Sequence, residues 1–399
     1  MRHFLYKARD GKTGKVVKGS IQAETERTAG KLLIEQGYTP QSIQEEEEGT
    51  FAKQKVSGKD RVVFTRQFAT LIGAGLPLST SLQTVANQTE SKPMRRVIED
   101  VLVQVEGGKS LYDAFSEHKD VFSNVYLSLI QAGEASGTLD ESLKRLASQE
   151  EKDQAMMSKI RGALTYPAIV LLVIIVVVVF MMVVVVPQVE NLYSDLGKDL
   201  PVITAVLVAV ANFIISYWYI VLLIGGGIVI GLAMFAKTDT GRGFFDVFKL
   251  NVPLFKGLFL RLYNSRFART SQILLATGVP MLDTLDIAGA AINNKVVEDQ
   301  IKIAAGKVKS GKPLSEGLSD RDYIMPLVPQ MASIGEQSGK IDEMLGKAAQ
   351  VYEDELDERI ATLSTAIEPI LMVVLAIVVG GMVAAILFPI YSLVNDVQV

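Results

Sequence analysis

The 399-residue sequence contains no cysteine, only two histidines and one tryptophan. Without cysteine there is no disulfide, no thiolate metal site and no cysteine nucleophile. His3 and His118 lie far apart in the sequence, so a histidine-rich catalytic metal site is not expected either. The formal net charge of −4 is small for this length and does not indicate a nucleic-acid partner.

Hydrophobic residues, by contrast, make up 49% of the chain and include three long uncharged stretches. The first, from Ala168 to Val186, is nearly long enough, at about 1.5 Å per residue, to cross a hydrocarbon core. Pro167 stands where the first turn of a helix tolerates proline, and Pro187 is predicted to end the helix. The last stretch, Ile370 to Ile390, begins after Pro369.

The middle stretch, residues 202–236, is too long for one simple span. Its aromatic cluster Tyr217-Trp218-Tyr219 is typical of a membrane surface, which places a span at residues 217–236 and an interfacial helix at residues 202–216. Gly227 and Gly231 form a Gly-x-x-x-Gly pair that either allows close helix packing or occurs by chance.

Charged residues beside the spans predict the orientation of the chain. Lysine and arginine cluster before the first span and after the second, whereas the connector at residues 188–201 is acidic. By the positive-inside rule the N-terminus is cytoplasmic, and the connector and the C-terminus lie outside. Residues 1–60 contain no apolar segment of the kind found in a cleavable signal peptide.

Two parts of the chain repeat each other. The Gly-x-Pro motif at Gly75 recurs at Gly278, 203 residues later, and the Gly-Lys pair at Gly108 recurs at Gly311. After a one-residue deletion, a Gly-Glu-x-Ser-Gly motif recurs at an offset of 202.

Apolar residues at helical spacing, such as Phe64 and Phe68, predict that each copy is helical. Thr138 and Glu141 fit a capping box at the start of a long helix that runs towards the first span. Residues 1–44 instead show short strand-like runs around one helical segment, with a turn at Asp10-Gly11, and predict a small β-β-α-β module.

The repeated Gly-Glu-x-Ser-Gly motif is the main candidate for a functional site. Its residues are Gly133, Glu134, Gly137, Gly335, Glu336 and Gly339. The favoured interpretation is that each glutamate caps a turn or pairs locally. The alternatives are a partner contact or a ligand of a hard cation. A catalytic pair would require the two copies to face each other.

Another segment, Gly306-x-x-x-x-Gly311-Lys312, imitates a phosphate-binding loop. Pro313 replaces the serine or threonine that would hold magnesium, and the preceding residues look helical rather than strand-like. We therefore predict a turn between helices, no nucleotide site and no enzymatic activity. The three spans contain no ionisable residue, which argues against a transporter or pump.

These motifs, in order and found twice, resemble the inner-membrane platform proteins of type IV pili and type II secretion (the PilC/GspF family). Phe64–Leu71, Tyr166-Pro167, Leu200-Pro201 and Glu368-Pro369 carry the resemblance further, so that it covers almost the whole chain. It implies a mainly α integral membrane protein with two tandem cytoplasmic six-helix bundles, three transmembrane helices and a small N-terminal β-β-α-β module.

The resemblance also implies a function in the cytoplasmic (inner) membrane. The platform would couple a hexameric cytoplasmic ATPase to the insertion or extraction of pilin or pseudopilin subunits, together with other inner-membrane assembly components and membrane lipid. We expect a homo-oligomer, no cofactor, no catalytic or metal-binding residue and no nucleic acid. Some members of the family bind calcium at a bundle, but only Glu134 suggests a ligand and no second one matches. The alternative function is that of a membrane receptor or transporter with cytoplasmic helical domains.

The predicted boundaries are an N-terminal module at residues 1–44, a linker at 45–58, bundle 1 at 59–161, transmembrane helix 1 at 166–187, an outer connector at 188–201, an interfacial helix at 202–216, transmembrane helix 2 at 217–236, bundle 2 at 237–368, transmembrane helix 3 at 369–390 and an outer tail at 391–399.

Overall fold

The computed structural model describes residues 2–10, 16–23, 25–35, 37–45, 55–195 and 201–397. The described residues are mainly helical. The chain divides into two compact units, Met1–Ser57 and Gly58–Val399.

The N-terminal unit contains a three-stranded antiparallel sheet and one helix. Its elements are β1 Arg2–Asp10, β2 Val16–Ala23, α1 Glu26–Glu35 and β3 Tyr38–Glu45. β1 lies in the middle and pairs with both other strands, with a register shift against β3 between Lys7 and Ala8. Ala8 of β1 and Leu33 of α1 are both buried, and α1 contacts all three strands, so the helix covers the sheet. The predicted turn after Asp10 and most of the predicted linker lie outside the described residues.

The first helical repeat opens the second unit. Its helices are α2 Gly58–Gly73, α3 Leu78–Gln88, α4 Lys92–Glu106, α5 Leu111–Ser116, α6 Asn124–Ser136 and α7 Leu139–Phe180. Phe64 and Phe68, one helical turn apart on α2, are both buried. Serine hydroxyls cap two of the helices, because Ser110 accepts from the backbone N–H of Asp113 and Ser123 does the same for Tyr126.

The start of α7 differs from the prediction. The side chain of Thr138 makes no cap and instead hydrogen-bonds to the hydroxyl of Ser136 at 2.7 Å. Glu141 pairs with Arg145 one turn further on, at 2.6 Å. The predicted capping box is wrong, because Thr138 has φ −110° and ψ 43° rather than the extended conformation of a capping residue.

The long helix continues through both prolines of the first apolar stretch. α7 runs for 42 residues through Pro167 and is followed by a π-helical segment, Met181–Val185, and by α8 Val186–Asp195. The predictions that Pro167 begins a helix and that Pro187 ends one are wrong. An apolar segment in lipid has no water to replace its backbone hydrogen bonds, so it stays helical across a proline. In a regular α-helix the ring of Pro187 would clash with the carbonyl of residue 183. Residue 183 lies in the π-helical segment, whose wider turns make room for the ring.

The middle apolar stretch forms two helices, α9 Val202–Ser216 and α10 Trp218–Phe235, separated at Tyr217. α9 packs against α8, where Val208 and Ala211 bury a small cluster with Val186. Among the described residues, three helical stretches are long and apolar enough to cross a membrane: Leu139–Asp195, Trp218–Phe235 and Ile341–Ala384. The described part of the chain therefore contains three candidate membrane spans.

The second repeat is preceded by α11 Asp239–Asn251. Its six helices are α12 Pro253–Ala276, α13 Met281–Ala291, α14 Lys295–Lys309, α15 Leu314–Leu318, α16 Leu327–Ser338 and α17 Ile341–Val397. α17 is continuous for 57 residues, about 86 Å at 1.5 Å per residue. Pro369, which precedes the last uncharged stretch, lies inside this helix, and residues 391–397 of the predicted tail continue it.

The two repeats pack against each other through their long helices. In each repeat the last helix lies against the first, α7 against α2 and α17 against α12, and α7 also contacts α17. Met156, Ile160 and Ala163 of α7 pack on the core of the second repeat. The second repeat therefore completes its core with residues from the first.

Candidate functional site

The glutamate of the first Gly-Glu-x-Ser-Gly motif caps a short helix. Glu134, near the end of α6, accepts hydrogen bonds from the backbone N–H groups of Leu111 at 2.8 Å and Tyr112 at 3.1 Å. These N–H groups open α5 and have no partner within that helix. A carboxylate is favourable there because the N-terminal end of a helix carries partial positive charge.

The second motif repeats this arrangement with one more hydrogen bond. Glu336 accepts from the backbone N–H groups of Leu314 and Ser315, which open α15, and also from the Ser315 hydroxyl at 2.5 Å. Among the described residues, each carboxylate is thus bonded within its own repeat. The geometry is that of a structural cap joining two helices of one repeat.

The glycines of the motif let α6 approach α7 and α16 approach α17. A Cβ on Gly133 would lie 2.6 Å from the Ser142 hydroxyl, and one on Gly335 would lie 2.6 Å from the Cα of Ile341. Gly137 and Gly339 end α6 and α16 with φ of 73° and 70°, a left-handed conformation that favours glycine. The motif therefore builds a tight corner between two helices in each repeat.

The segment that imitates a phosphate-binding loop forms a turn after a helix. Gly306 lies within α14, and Gly311 follows that helix with φ of 88°, as Gly108 does in the first repeat. The ammonium of Lys312 pairs with Glu316 on the surface. In the described part of the chain, no group of three or more histidine, cysteine, aspartate or glutamate side chains is placed to hold a metal ion.

A network of charged side chains lies where the two repeats meet. Glu353 on α17 accepts from the guanidinium of Arg269 on α12, at 2.8 Å for each oxygen, and from the ammonium of Lys152 on α7 at 3.4 Å. Lys159 and Asp357 pair at 2.6 Å one turn further towards the spans. Burial raises the pKa of the Asp153 carboxyl, and the nearby Arg266 opposes that rise. Charged groups of both repeats thus hold α7 against α17.

A cavity of about 360 Å³ lies beside this network between α7 and α12. Its lining residues are Glu141, Lys144, Arg145, Ser148, Gln149, Lys152, Arg269, Gln272 and Ile273. Most of the charged groups in this wall already form ion pairs, such as Arg145 with Glu141 and Arg269 with Glu353. The wall therefore belongs to the contact between the repeats.

Comparison with known families explains why these corners occur twice. Residues 64–187 and 267–389 match the family model described as "Type II secretion system (T2SS), protein F", and residues 1–44 match the model of that protein's N-terminal domain. The chain belongs to the type II secretion system protein F family. The two matched segments are the two repeats with the apolar helices that follow them, which confirms both the tandem repeat and the resemblance inferred from the motifs.

Individual relatives of this F-family chain are similar over nearly its whole length. The type IV pilus assembly protein PilC of Thermus thermophilus is 37% identical, with 99% of each chain covered. PilC of Myxococcus xanthus is 36% identical, over 99% of this chain and 96% of its own. The type II secretion system protein F of Xanthomonas campestris is 33% identical, with 99% of each chain covered.

Sequence reasoning missed the ion pairs that tie the first helix of each repeat to the last. Arg66 lies 3.3 Å from Glu151, and Arg269 lies 2.8 Å from Glu353. A signal was present, because the two arginines are 203 residues apart and the two glutamates 202, the same offsets as the motifs. A charged pair that recurs at the repeat offset predicts a contact even when each residue alone looks like a surface charge.

Proposed function

We propose that this F-family protein is the cytoplasmic-membrane platform on which a type IV pilus or a type II secretion pseudopilus is assembled. The main support for the proposal is the continuous helical connection between the repeats and the candidate spans. Each helical repeat continues without a break into a candidate span, through α7 and through α17, and Glu353 joins these two helices. A force applied to either repeat would move both spans. The names of the relatives, which refer to pilus assembly and type II secretion, support such a role.

The proposed orientation places both repeats, as six-helix bundles, in the cytoplasm and residues 188–195 outside. The basic residues that flank the spans on the repeat side support it. A cysteine replacing Ser194 should react with an impermeant thiol reagent in spheroplasts, whereas one replacing Ser310 should not. The opposite labelling pattern would overturn the orientation.

The platform is proposed to act without catalysis of its own. Its two repeated glutamates serve as helix caps, and Lys312 is paired with Glu316 in a turn. ATP hydrolysis would take place in a hexameric cytoplasmic ATPase bound to the repeats, while pilin or pseudopilin subunits contact the spans. The purified protein should turn over no ATP, and the Lys312→Ala variant should still support fibre assembly.

The coupling is tested by breaking α7 between the first repeat and its span. Four glycines inserted after the exposed Ser158 should abolish surface fibres, or secretion where the machine is a secretion system. Glycine costs about 1 kcal/mol per helical site relative to alanine, so the insert melts the helix locally and shifts Ile160 off the second repeat. Fibres are counted by electron microscopy, and membrane insertion and ATPase co-purification are followed by immunoblot.

The matched control is the same insert after Lys55, an exposed residue that precedes α2. That variant should assemble fibres normally. If fibres persist at normal numbers with α7 broken, the protein is a passive scaffold and the coupling is wrong. If the unaltered protein retains no ATPase on purification, the platform assignment itself fails.

A further inference from the structure

The short helix α11 has no counterpart in the first repeat and begins directly against the end of the second candidate span. The Thr238 hydroxyl caps it by accepting from the Gly241 N–H at 3.1 Å. A Cβ on Gly241 would lie 1.8 Å from the carbonyl oxygen of Phe235, the last residue of α10, so only glycine fits. The rings of Phe235 and Phe245 are 6.5 Å apart. This corner keeps α11 beside the end of the span.

One side of α11 is anchored to the second repeat. Asp246, which is buried, accepts from the backbone N–H of Lys295 at 3.1 Å, and its own carbonyl accepts from the Asn294 amide at 3.3 Å. Leu250 is fully buried in the core of the second repeat. α11 is therefore a fixed part of the second unit rather than a loosely attached segment.

The other side of α11 is apolar and exposed. Phe244, Val247 and Phe248 are 61%, 44% and 52% exposed, and the two phenylalanine rings stack at 6.4 Å. Large aromatic side chains on one face of a helix that directly follows a span are typical of a helix lying in the membrane interface. Nothing in the described part of the second unit covers this face.

A cavity of about 320 Å³ opens next to that face. It is lined by Ile160, Ala163, Leu164, Phe245, Phe248, Lys249, Phe255, Leu258, Phe259, Ile360 and Leu363. Its walls come from α11, from α12 and from the parts of α7 and α17 that lead into their spans. Leu164 lies four residues before Ala168, about 6 Å along the helix from the start of the uncharged stretch. The cavity therefore lies close to the start of the first candidate span.

One basic residue lies in the wall of the cavity, and three more lie near the lining residues in the sequence. Lys249, the only charged residue in its wall, lies 3.4 Å from Asp246, and its ammonium is 6.0 Å from the centre of the Phe259 ring. Arg161, Arg242 and Lys256, all exposed, stand close to these lining residues in the sequence. An apolar cavity with a lysine in its wall and basic residues nearby matches a lipid that has an acyl chain and an anionic headgroup.

We propose that α11 lies in the headgroup layer and that the cavity holds an acyl chain of an anionic phospholipid, with the phosphate near Lys249. The proposal takes from the proposed function only the side of the membrane on which the repeats lie. It gives the platform a fixed depth at the membrane surface, set by α11, which has no counterpart in the first repeat.

The test measures how strongly brominated lipids quench the fluorescence of a tryptophan on α11. Because the chain has a single tryptophan, Trp218, the reporter can be moved to one chosen position. In a Trp218→Phe background, Phe244→Trp places a reporter on the exposed face without altering the cavity wall. The purified full-length protein is reconstituted into phosphatidylcholine vesicles that contain a minority of phosphatidylglycerol, and one or the other lipid is brominated. We expect strong quenching by both lipids, and more by brominated phosphatidylglycerol than its share of the membrane predicts.

Two variants make the result specific. Ile303→Trp, at an exposed position of α14, is the matched reporter away from the membrane and should not be quenched. Lys249→Gln should reduce the preference for phosphatidylglycerol about fivefold, since one lysine near a surface contributes a factor of that size, whereas Lys309→Gln should not.

Several outcomes would overturn the proposal. No quenching at position 244 would show that α11 lies away from the membrane, and quenching by brominated phosphatidylglycerol only in proportion to its share of the membrane would rule out a site for an anionic lipid. Quenching that disappears when a pilin is co-reconstituted at low ratio would identify a protein helix as the occupant. Because the measurement uses the purified protein, these results stand apart from the fibre counts that test the proposed function.

Discussion

The two repeats use different side chains for the same contact, in which the first helix of the repeat donates to a backbone carbonyl. In the first, the guanidinium of Arg61 donates to the carbonyl of Val121 at 2.9 Å and pairs with the buried Glu150 at 2.8 Å. In the second, the matched residue Asn264 donates to the carbonyl of Tyr323 at 2.9 Å, and Tyr352 stands where the first repeat has Glu150. The backbone atom that must be satisfied is the same in both repeats, whereas the side chains that satisfy it are not.

The cores differ in the same way. The first repeat packs Phe64, Phe68, Phe115, Phe122 and Tyr126 ring against ring, with centroids 4.5 to 6.5 Å apart. In the second repeat Phe267 matches Phe64 and is also a phenylalanine. Ser271, Leu318 and Val328 stand at the positions of Phe68, Phe115 and Tyr126. The comparison teaches that the tight corners and helix caps preserve the architecture, while the core between them can change.

The largest expected difference between the repeats concerns Arg61. Arg61→Ala leaves the Glu150 carboxylate buried without its partner and should destabilise the first repeat by about 3 kcal/mol at pH 7.5. Asn264→Ala removes neutral hydrogen bonds and should cost the second repeat roughly 1–2 kcal/mol. Hydrogen exchange followed by mass spectrometry on the protein in detergent reads the two repeats separately.

The pH dependence separates the two variants further. Burial raises the pKa of Glu150 above its ordinary value of 4.5, against the opposing effect of Arg61. In the Arg61→Ala variant the unpaired Glu150 carboxylate destabilises the first repeat at pH values above its raised pKa. This destabilisation is lost as the pH falls through that pKa, because the carboxyl becomes neutral. The Arg61→Ala deficit should therefore shrink at pH 5, and the Asn264→Ala deficit should not. An equal Arg61→Ala deficit at both pH values would contradict the explanation, and Arg61→Lys, which keeps the charge, serves as the control.

A smaller difference is expected at the repeated caps. Glu336 serves three donors and Glu134 two, so Glu336→Gln should destabilise its corner by about 2 kcal/mol and Glu134→Gln by about 1 kcal/mol. Exchange rates of the α15 and α5 amides measure the two effects. Glu343→Gln, which breaks an exposed pair with Lys340, should change neither. Equal losses at the two caps would mean that the Ser315 hydroxyl contributes nothing.

The smallest effect is expected where the repeats meet. Lys159 and Asp357 are both about half exposed, so Lys159→Glu should weaken the contact of α7 with α17 by only about 0.5 kcal/mol. The reversed pair, Lys159→Glu with Asp357→Lys, should restore it in a double-mutant cycle on the thermal midpoint in detergent. A reversed pair less stable than either single variant would show that other groups hold the two helices together.

Much of this architecture could be predicted from the sequence, because motifs that recur at a constant spacing show which residues of the two repeats correspond. The cap at Glu134 was the favoured interpretation of a motif seen twice, although its partners, 22 and 23 residues earlier, could not be identified from spacing. Helix ends were predicted less well. Pro167 and Pro187 look like boundaries by local rules, yet the surrounding apolar helix and the π turns override them.

α11 was missed for a different reason. Its apolar residues, Phe244, Phe245, Val247 and Phe248, lie near basic ones and follow a span, yet the sequence prediction places them only within the second bundle. A search for amphipathic segments next to spans would have found it. What no local pattern could supply is the 1.8 Å approach at Gly241, which depends on how two helices meet.

The packing of Met156, Ile160 and Ala163 on the second repeat has a consequence for how the protein is made. The ribosome completes these residues about 200 residues before Leu356 and Ile360, which join them in the same core. At roughly 5–20 residues per second, that side of α7 waits some 10–40 s for its partner after synthesis. During this interval the nascent chain exposes an apolar stripe next to the membrane. Premature termination after the second span should therefore yield an inserted but aggregation-prone fragment.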